Sequence, residues 1–176
     1  MKILSFDLEL NQDPRGAKII EIGACVADVN TGEVLEAYSA FVNPHELLVD
    51  HIIKLTSITQ EQVDAAGSLE AAYHGMEAMG NRHDCCRMPI VWGAGDGHAL
   101  RQELPSHVTW SFGRRELDVK AVFQAYQMAK GAKVQAGLAK AMTHLGLAFK
   151  GRKHRAIDDA INTFSIYHAL LKKFST

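Results

Sequence analysis

Ile3-Leu4-Ser5-Phe6-Asp7-Leu8-Glu9 decides the architecture: an apolar run near the start of the chain is broken by two carboxylates one residue apart. Read as a short, largely buried strand from Ile3 to Leu8, it puts Asp7 and Glu9 side by side on one face, because strand side chains alternate sides. Paired carboxylates on a buried strand repel each other and resist desolvation unless a cation or a shared proton compensates. A hard divalent ion, Mg²⁺ or Mn²⁺, is the natural compensation. On an exposed edge the same spacing is commonly just a solvated face, but the flanking Leu4, Phe6 and Leu8 argue for burial and so for function.

Outward from this strand, a second apolar run from Ile19 to Val29 meets the turn Asn30-Thr31-Gly32 and returns from Val34 to Val42, which predicts a hairpin. Thr59-Gln60-Glu61-Gln62 fits a capping box, and Leu69 to Met79 has helical composition. Ile90-Val91-Trp92 reads as a strand running into glycines, His98 to Leu104 as a short helix, and Val108 to Phe112 as a fifth strand. Helices follow: Asp118 caps Val119 to Ala129, Gln135 to Leu145 is amphipathic, and Ala156 to Phe174 is apolar on one side. Strands early and helices late predict an α/β domain with a mixed five-stranded sheet, one antiparallel hairpin and flanking helices. With no repeat or linker in view, residues 1–176 are expected to form a single domain.

Composition narrows the class. The 176 residues are 47% apolar and 22% charged, which excludes disordered and fibrous chains. A formal net charge of −1 argues against charge-driven binding along a duplex while leaving room for a small local footprint. Asp7 and Glu9 interrupt the N-terminal apolar run before it could form a signal-peptide core, and no long apolar stretch suggests a membrane partner. Three cysteines, Cys25, Cys85 and the adjacent Cys86, make a reducing cytoplasm the simplest compartment.

Two further stretches carry chemistry. In Trp92-Gly93-Ala94-Gly95-Asp96 a strand enters a glycine turn that ends in a carboxylate, at the sheet edge where α/β folds bind ligands. Taken in isolation, Asp96 is better read as the N-cap of an ordinary strand-to-helix turn. A dinucleotide-binding fingerprint also begins this way, but its third glycine would fall on His98. In Lys150-Gly151-Arg152-Lys153-His154-Arg155-Ala156-Ile157-Asp158-Asp159, cations for phosphate, a titratable base and metal-binding acids lie together. A solvated basic loop is the plainer account of such a run. His83-Asp84-Cys85-Cys86 lacks zinc-site spacing and reads as a loop. Phe6 and Trp92 are candidates for base stacking, with core packing the commoner role for both. Arg101, Arg114 and Arg115 read as isolated surface arginines.

Asp7, Glu9, Asp96, His154 and Asp159 fall in the order D-x-E, D, H-x-x-x-x-D, and in this the chain resembles the DEDDh 3′ exonucleases of the RNase H-like superfamily. The resemblance runs from about Ile3 to Lys172. Lys18-Ile19-Ile20-Glu21-Ile22-Gly23, Leu55-Thr56-Ser57-Ile58-Thr59 and Gly137-Leu138-x-Lys140-Ala141 look most like the Eri-like 3′ exoribonuclease branch, which includes histone-mRNA exonucleases. It implies an RNase H-like fold and metal-dependent removal of nucleoside 5′-monophosphates from the 3′ end of single-stranded nucleic acid, with RNA favoured over DNA. It further implies two Mg²⁺ or Mn²⁺ ions per site. Asp7 would bridge them, Glu9 and Asp159 would hold one, Asp96 the other, and His154 would be the general base. Leu10, where the wider family often has threonine, is expected at the substrate with Trp92, Arg152 and Lys153.

Helical periodicity would pair His154 with Asp158, four residues on, whereas the family pattern selects Asp159. The choice of Asp159 requires His154 to lie in a loop before the helix. A DNA exonuclease of the same family, a regulatory module that binds nucleic acid or protein, and a dinucleotide-dependent enzyme are the competing readings. No RNA-binding module is evident, so target selection is expected from the domain surface or from a protein partner that the sequence does not identify.

Overall fold

The computed structural model describes residues 1–14, 16–132 and 136–174. Its strands are β1 (Lys2–Asp13), β2 (Gly16–Asp28), β3 (Val34–Phe41), β4 (Ile90–Val91) and β5 (Leu117–Asp118), in the sheet order β3-β2-β1-β4-β5. The first three form an antiparallel meander, and β4 and β5 extend it in parallel from β1. The predicted mixed five-stranded sheet is present, and the predicted hairpin is β2–β3. β1 makes a second hairpin with β2 because it continues to Asp13, through polar residues that carry no apolar pattern.

The helices are α1 (Asp50–Thr56), α2 (Gln60–Asp64), α3 (Leu69–Arg82), α4 (Asp96–Glu103), α5 (Val119–Ala129), α6 (Leu138–His144) and α7 (Ala156–Phe174). Thr59 forms the predicted capping box on α2, and Asp118 caps α5 by accepting from the Ala121 N–H. α1 has no signal in the sequence pattern, and Gln135, the expected start of the helix that ends near Leu145, lies outside the described residues.

Val108 to Phe112 is not a strand; β5 is Leu117–Asp118. The 108–112 run is apolar because it packs on α3, with Trp110 and Phe112 against Tyr73. Its backbone is satisfied by that same tyrosine: the hydroxyl accepts from the Ser111 N–H at 2.9 Å and donates to the Thr109 carbonyl at 3.3 Å. A side chain here takes the place of a strand ladder.

Alternation along β1 divides the interior. Leu4, Phe6 and Leu8 pack with Ile22, Ala24, Val26 and α3, whereas Ile3 packs with Cys25, Ala27 and the helices α5, α6 and α7. Phe6 is completely buried and so has no face for a nucleotide base. Ser5, on the Ile3 side, donates to the Ala160 carbonyl at 2.7 Å and ties α7 to the sheet. That side also bears Asp7 and Glu9.

α7 lies across β1 and β2, where Gly23 permits a very close approach. A Cβ at Gly23 would stand 2.0 Å from the Ile157 nitrogen and 2.1 Å from the Ala156 carbonyl carbon. Gly23 is the ladder partner of Asp7, so the first turn of α7 is delivered directly above the carboxylate pair.

Candidate active site

Three elements bring the predicted acids together. β1 carries Asp7 and Glu9, α4 opens with Asp96, and the first turns of α7 carry Asp159. Glu9 is only 9% exposed, and Asp7, Asp96 and Asp159 are half-buried. Ligand atoms of Glu9, His154 and Asp159 lie within 4.8 Å of one another. Asp7 and Asp96 fall outside that tight group; Asp7 feels the charges of Glu9 and Asp159, and Asp96 adds its own field to Glu9.

The electrostatics follow from burial of like charges. Desolvation, with the fields of Asp96, Asp159, Glu9 and Glu21 added, pushes Asp7 well above the usual carboxylate range. Burial and the fields of Asp159, Glu21 and Asp96 push Glu9 up to about 8, against a partial offset from Arg155. Burial and the nearby Glu116 and Asp118 carry Asp96 to about 7. Asp159 rises to about 6, chiefly by burial, although the His154 backbone N–H opposes the shift. A site that raises this many carboxylates is poised to exchange protons for a cation.

The donor set fits such a cation. Asp159 Oδ1 is buried and has no hydrogen-bond partner among the described residues, a costly state for a carboxylate oxygen unless something positive occupies the space before it. All four acids offer hard oxygen donors, which suit Mg²⁺ or Mn²⁺.

His154 lies in the loop before α7, as the choice of Asp159 required. Its backbone is left-handed, φ 60°, uncommon for a residue with a side chain, and its ring is exposed. Asp158 faces the loop, where its Oδ2 accepts from the Arg152 N–H at 2.8 Å and closes the turn at Gly151, and it acts on the acids only by adding its charge to the field that raises Asp159. Asn162, fully buried, holds the start of the same loop by donating to the Lys150 carbonyl at 2.8 Å and accepting from its N–H at 3.0 Å. The second oxygen-rich turn is held likewise, with Gly93 N–H donating to Asp118 at 2.9 Å and Gly95 in a glycine-only conformation of φ 140° before Asp96.

The expected substrate residues separate into distinct surroundings. Lys153 lines a groove with Leu138, Lys140, Phe149, His154 and Asp159. Leu10 lines another, with Ala17, Lys18, Ala99, Gln102 and Glu103, just past a bulge where the β1–β2 register shifts. Arg152 is exposed and donates to the Ser57 hydroxyl. Trp92 packs on Phe123 at 6.2 Å between ring centroids, a core contact. The sequence assigns no role to Asn162 or Glu116, counts Arg155 only among the basic residues before α7, and signals Glu21 only as a lone acid inside the apolar run Ile19 to Val29.

Residues 4–167 match the RNase_T family, whose description is exonuclease. Human ERI1 exoribonuclease 2 is 25% identical over 176 aligned residues, covering 83% of this chain and 24% of its own length. The chain thus spans about a quarter of that relative. A probable 3′-5′ exonuclease, KapD of Bacillus subtilis, is 26% identical, over 85% of this chain and 71% of its own. The nuclease domain of 3′hExo, a DEDDh family member solved with rAMP, superimposes with a TM-score of 0.81 at 20% identity, covering 98% of this chain and 92% of that one. The sheet and its flanking helices are those of the RNase H-like exonuclease fold.

Proposed function

The chain belongs to the RNase_T exonuclease family, and from that premise we propose that residues 1–176 form one 3′-5′ exonuclease domain acting on single-stranded nucleic acid, with RNA favoured. The observation that carries the reading is the convergence of Glu9, His154 and Asp159 around a buried, unpartnered carboxylate oxygen. Asp7, Glu9, Asp96 and Asp159 would hold two Mg²⁺ or Mn²⁺ ions, which when bound offset the carboxylate charge and stabilise the charge that develops on the phosphate oxygens.

The chain's own groups do the rest. His154 accepts a proton from the attacking water, and its exposure lets that proton pass on to solvent. Oxygen–phosphorus bond formation breaks the bond from phosphorus to the 3′ oxygen of the preceding nucleotide, which takes a proton from solvent, leaving a nucleoside 5′-monophosphate and a shortened strand with a 3′ hydroxyl. Lys153 and Arg152 draw the phosphate backbone towards the site. The RNA preference rests on the exoribonuclease name of the relatives.

Matched 5′-labelled and 3′-labelled RNA and DNA oligomers, digested with Mg²⁺, Mn²⁺ or EDTA, test the reading. Single-nucleotide ladders from the 3′ end that vanish with EDTA are expected, fastest on RNA. Binding without cleavage in either metal would favour a regulatory module instead. Asp7→Asn is expected to lower kcat by roughly 10³-fold or more with the fold intact, since charge stabilisation is a large contribution to such chemistry.

A further inference from the structure

Glu21 on β2 is completely buried and is the ladder partner of Glu9, yet it has no part in the chemistry described above. Its oxygens are fully engaged. Oε1 accepts from Arg155 Nη2 at 2.8 Å and from Ser39 Oγ at 2.9 Å, and Oε2 accepts from Arg155 Nε and the Ala156 backbone N–H, each at 3.1 Å. A carboxylate has about four acceptor positions, so none remains for a metal ion.

The geometry explains why an acid is needed there. α7 starts at Ala156, and the residue in the capping position before it is Arg155, whose side chain can only donate. Glu21 supplies the absent acceptor from another strand and places negative charge at the positive end of a 19-residue helix. In return the guanidinium is gripped at two nitrogens, with its flat face 5.2 Å from the centre of the Phe41 ring on β3. Arg155 is the next residue after His154. The left-handed turn at His154 is therefore pinned on both sides, by Asp158 before it and by Glu21 after it.

We infer that the Glu21–Arg155 pair is a positioning device for His154, acting on the reaction through the histidine and not at the substrate. The inference rests on the proposed function, in which His154 takes the proton. α7 as a whole has independent anchors in its contact with Gly23 and in the Ser5–Ala160 hydrogen bond, so loosening the pair frees the histidine turn before it frees the helix.

A double-mutant cycle on the full chain separates positioning from mere stabilisation. Arg155→Met and Arg155→Lys are each made in the native and His154→Ala backgrounds. A 5′-labelled single-stranded oligonucleotide with Mn²⁺ gives kcat and KM, and thermal unfolding is followed in parallel. Arg155→Met is expected to lower kcat roughly 10- to 100-fold with KM within about threefold, the scale of a misplaced catalytic group. Arg155→Lys keeps the charge but not the two-pronged grip, and falls between. In the His154→Ala background either change alters kcat by less than about twofold, because the group being positioned is gone. Losses that multiply fully in that background, or native kcat in a folded Arg155→Met protein, overturn the inference alone. Native kcat in His154→Ala overturns the assigned base as well. If Arg155→Met is too unstable to assay, the Arg155→Lys cycle decides by the same criteria.

Discussion

Asp159 Oδ1 concentrates the chemistry of the site in one atom: a buried acceptor with no donor among the described residues. The same burial lifts Glu9 to about 8, Asp96 to about 7 and Asp159 to about 6. Their unfolded-state values lie near 4, so between about pH 4 and 8 the native protein binds more protons than the unfolded chain. The stability of the metal-free protein therefore falls as pH rises through that window, which thermal unfolding in EDTA at pH 5, 6.5 and 8 will register as a declining Tm. Divalent ions need the deprotonated acids, so Mn²⁺ affinity by calorimetry should move oppositely and tighten over the same range, with protons released on binding. At this scale the sequence was informative about the acids and silent about their supports. Asp7 and Glu9 are neighbours in the chain and share a face by simple alternation. Glu21 and Arg155 meet across 134 positions, a contact that no local periodicity encodes.

α7 is the element that completes the site, and its seat on Gly23 brings backbone so close that no side chain fits between them. Gly23→Ala would drive a methyl group into backbone at 2.0 Å, and the Ala156–Ile157 turn cannot yield without displacing Asp159. Overpacking of this kind costs about 1–3 kcal/mol or more, a Tm loss of several degrees for a chain of this size. Activity should fall further than stability does, and residual kcat measured well below Tm checks it. Long, strongly patterned elements were legible in the sequence: α7 and α5 were found with their observed limits, the latter through its Asp118 cap. β5 was not, because it is two residues long and the nearby apolar signal belonged to an aromatic loop packed on Tyr73. The polar end of β1 was missed for the opposite reason: backbone pairing to Gly16–Lys18 and the hydrogen bonds of the buried Asn11 amide hold it, not an apolar pattern.

The whole molecule sets function against stability. Four acids crowded at one end of the sheet repel one another in the absence of a cation, so neutralising one should relieve the fold. Asp7→Asn is accordingly expected to raise Tm in EDTA while abolishing most activity, and to lose the Tm increase that Mn²⁺ gives the native protein. A lower Tm in EDTA for Asp7→Asn would show that the acids are not mutually repulsive as described. The two-sided character of β1 has a further consequence for how such a domain can change over time. Its odd positions serve the acidic face and its even positions the α3 face, so inserting or deleting one residue in the strand would turn the acids into the interior and the leucines into the site. Descendants of this chain can thus abandon catalysis by exchanging side chains at Asp7 or Glu9, but not by slipping the strand. An inactive relative should keep β1 at the same length and register, with its history written only in which residues replaced the acids.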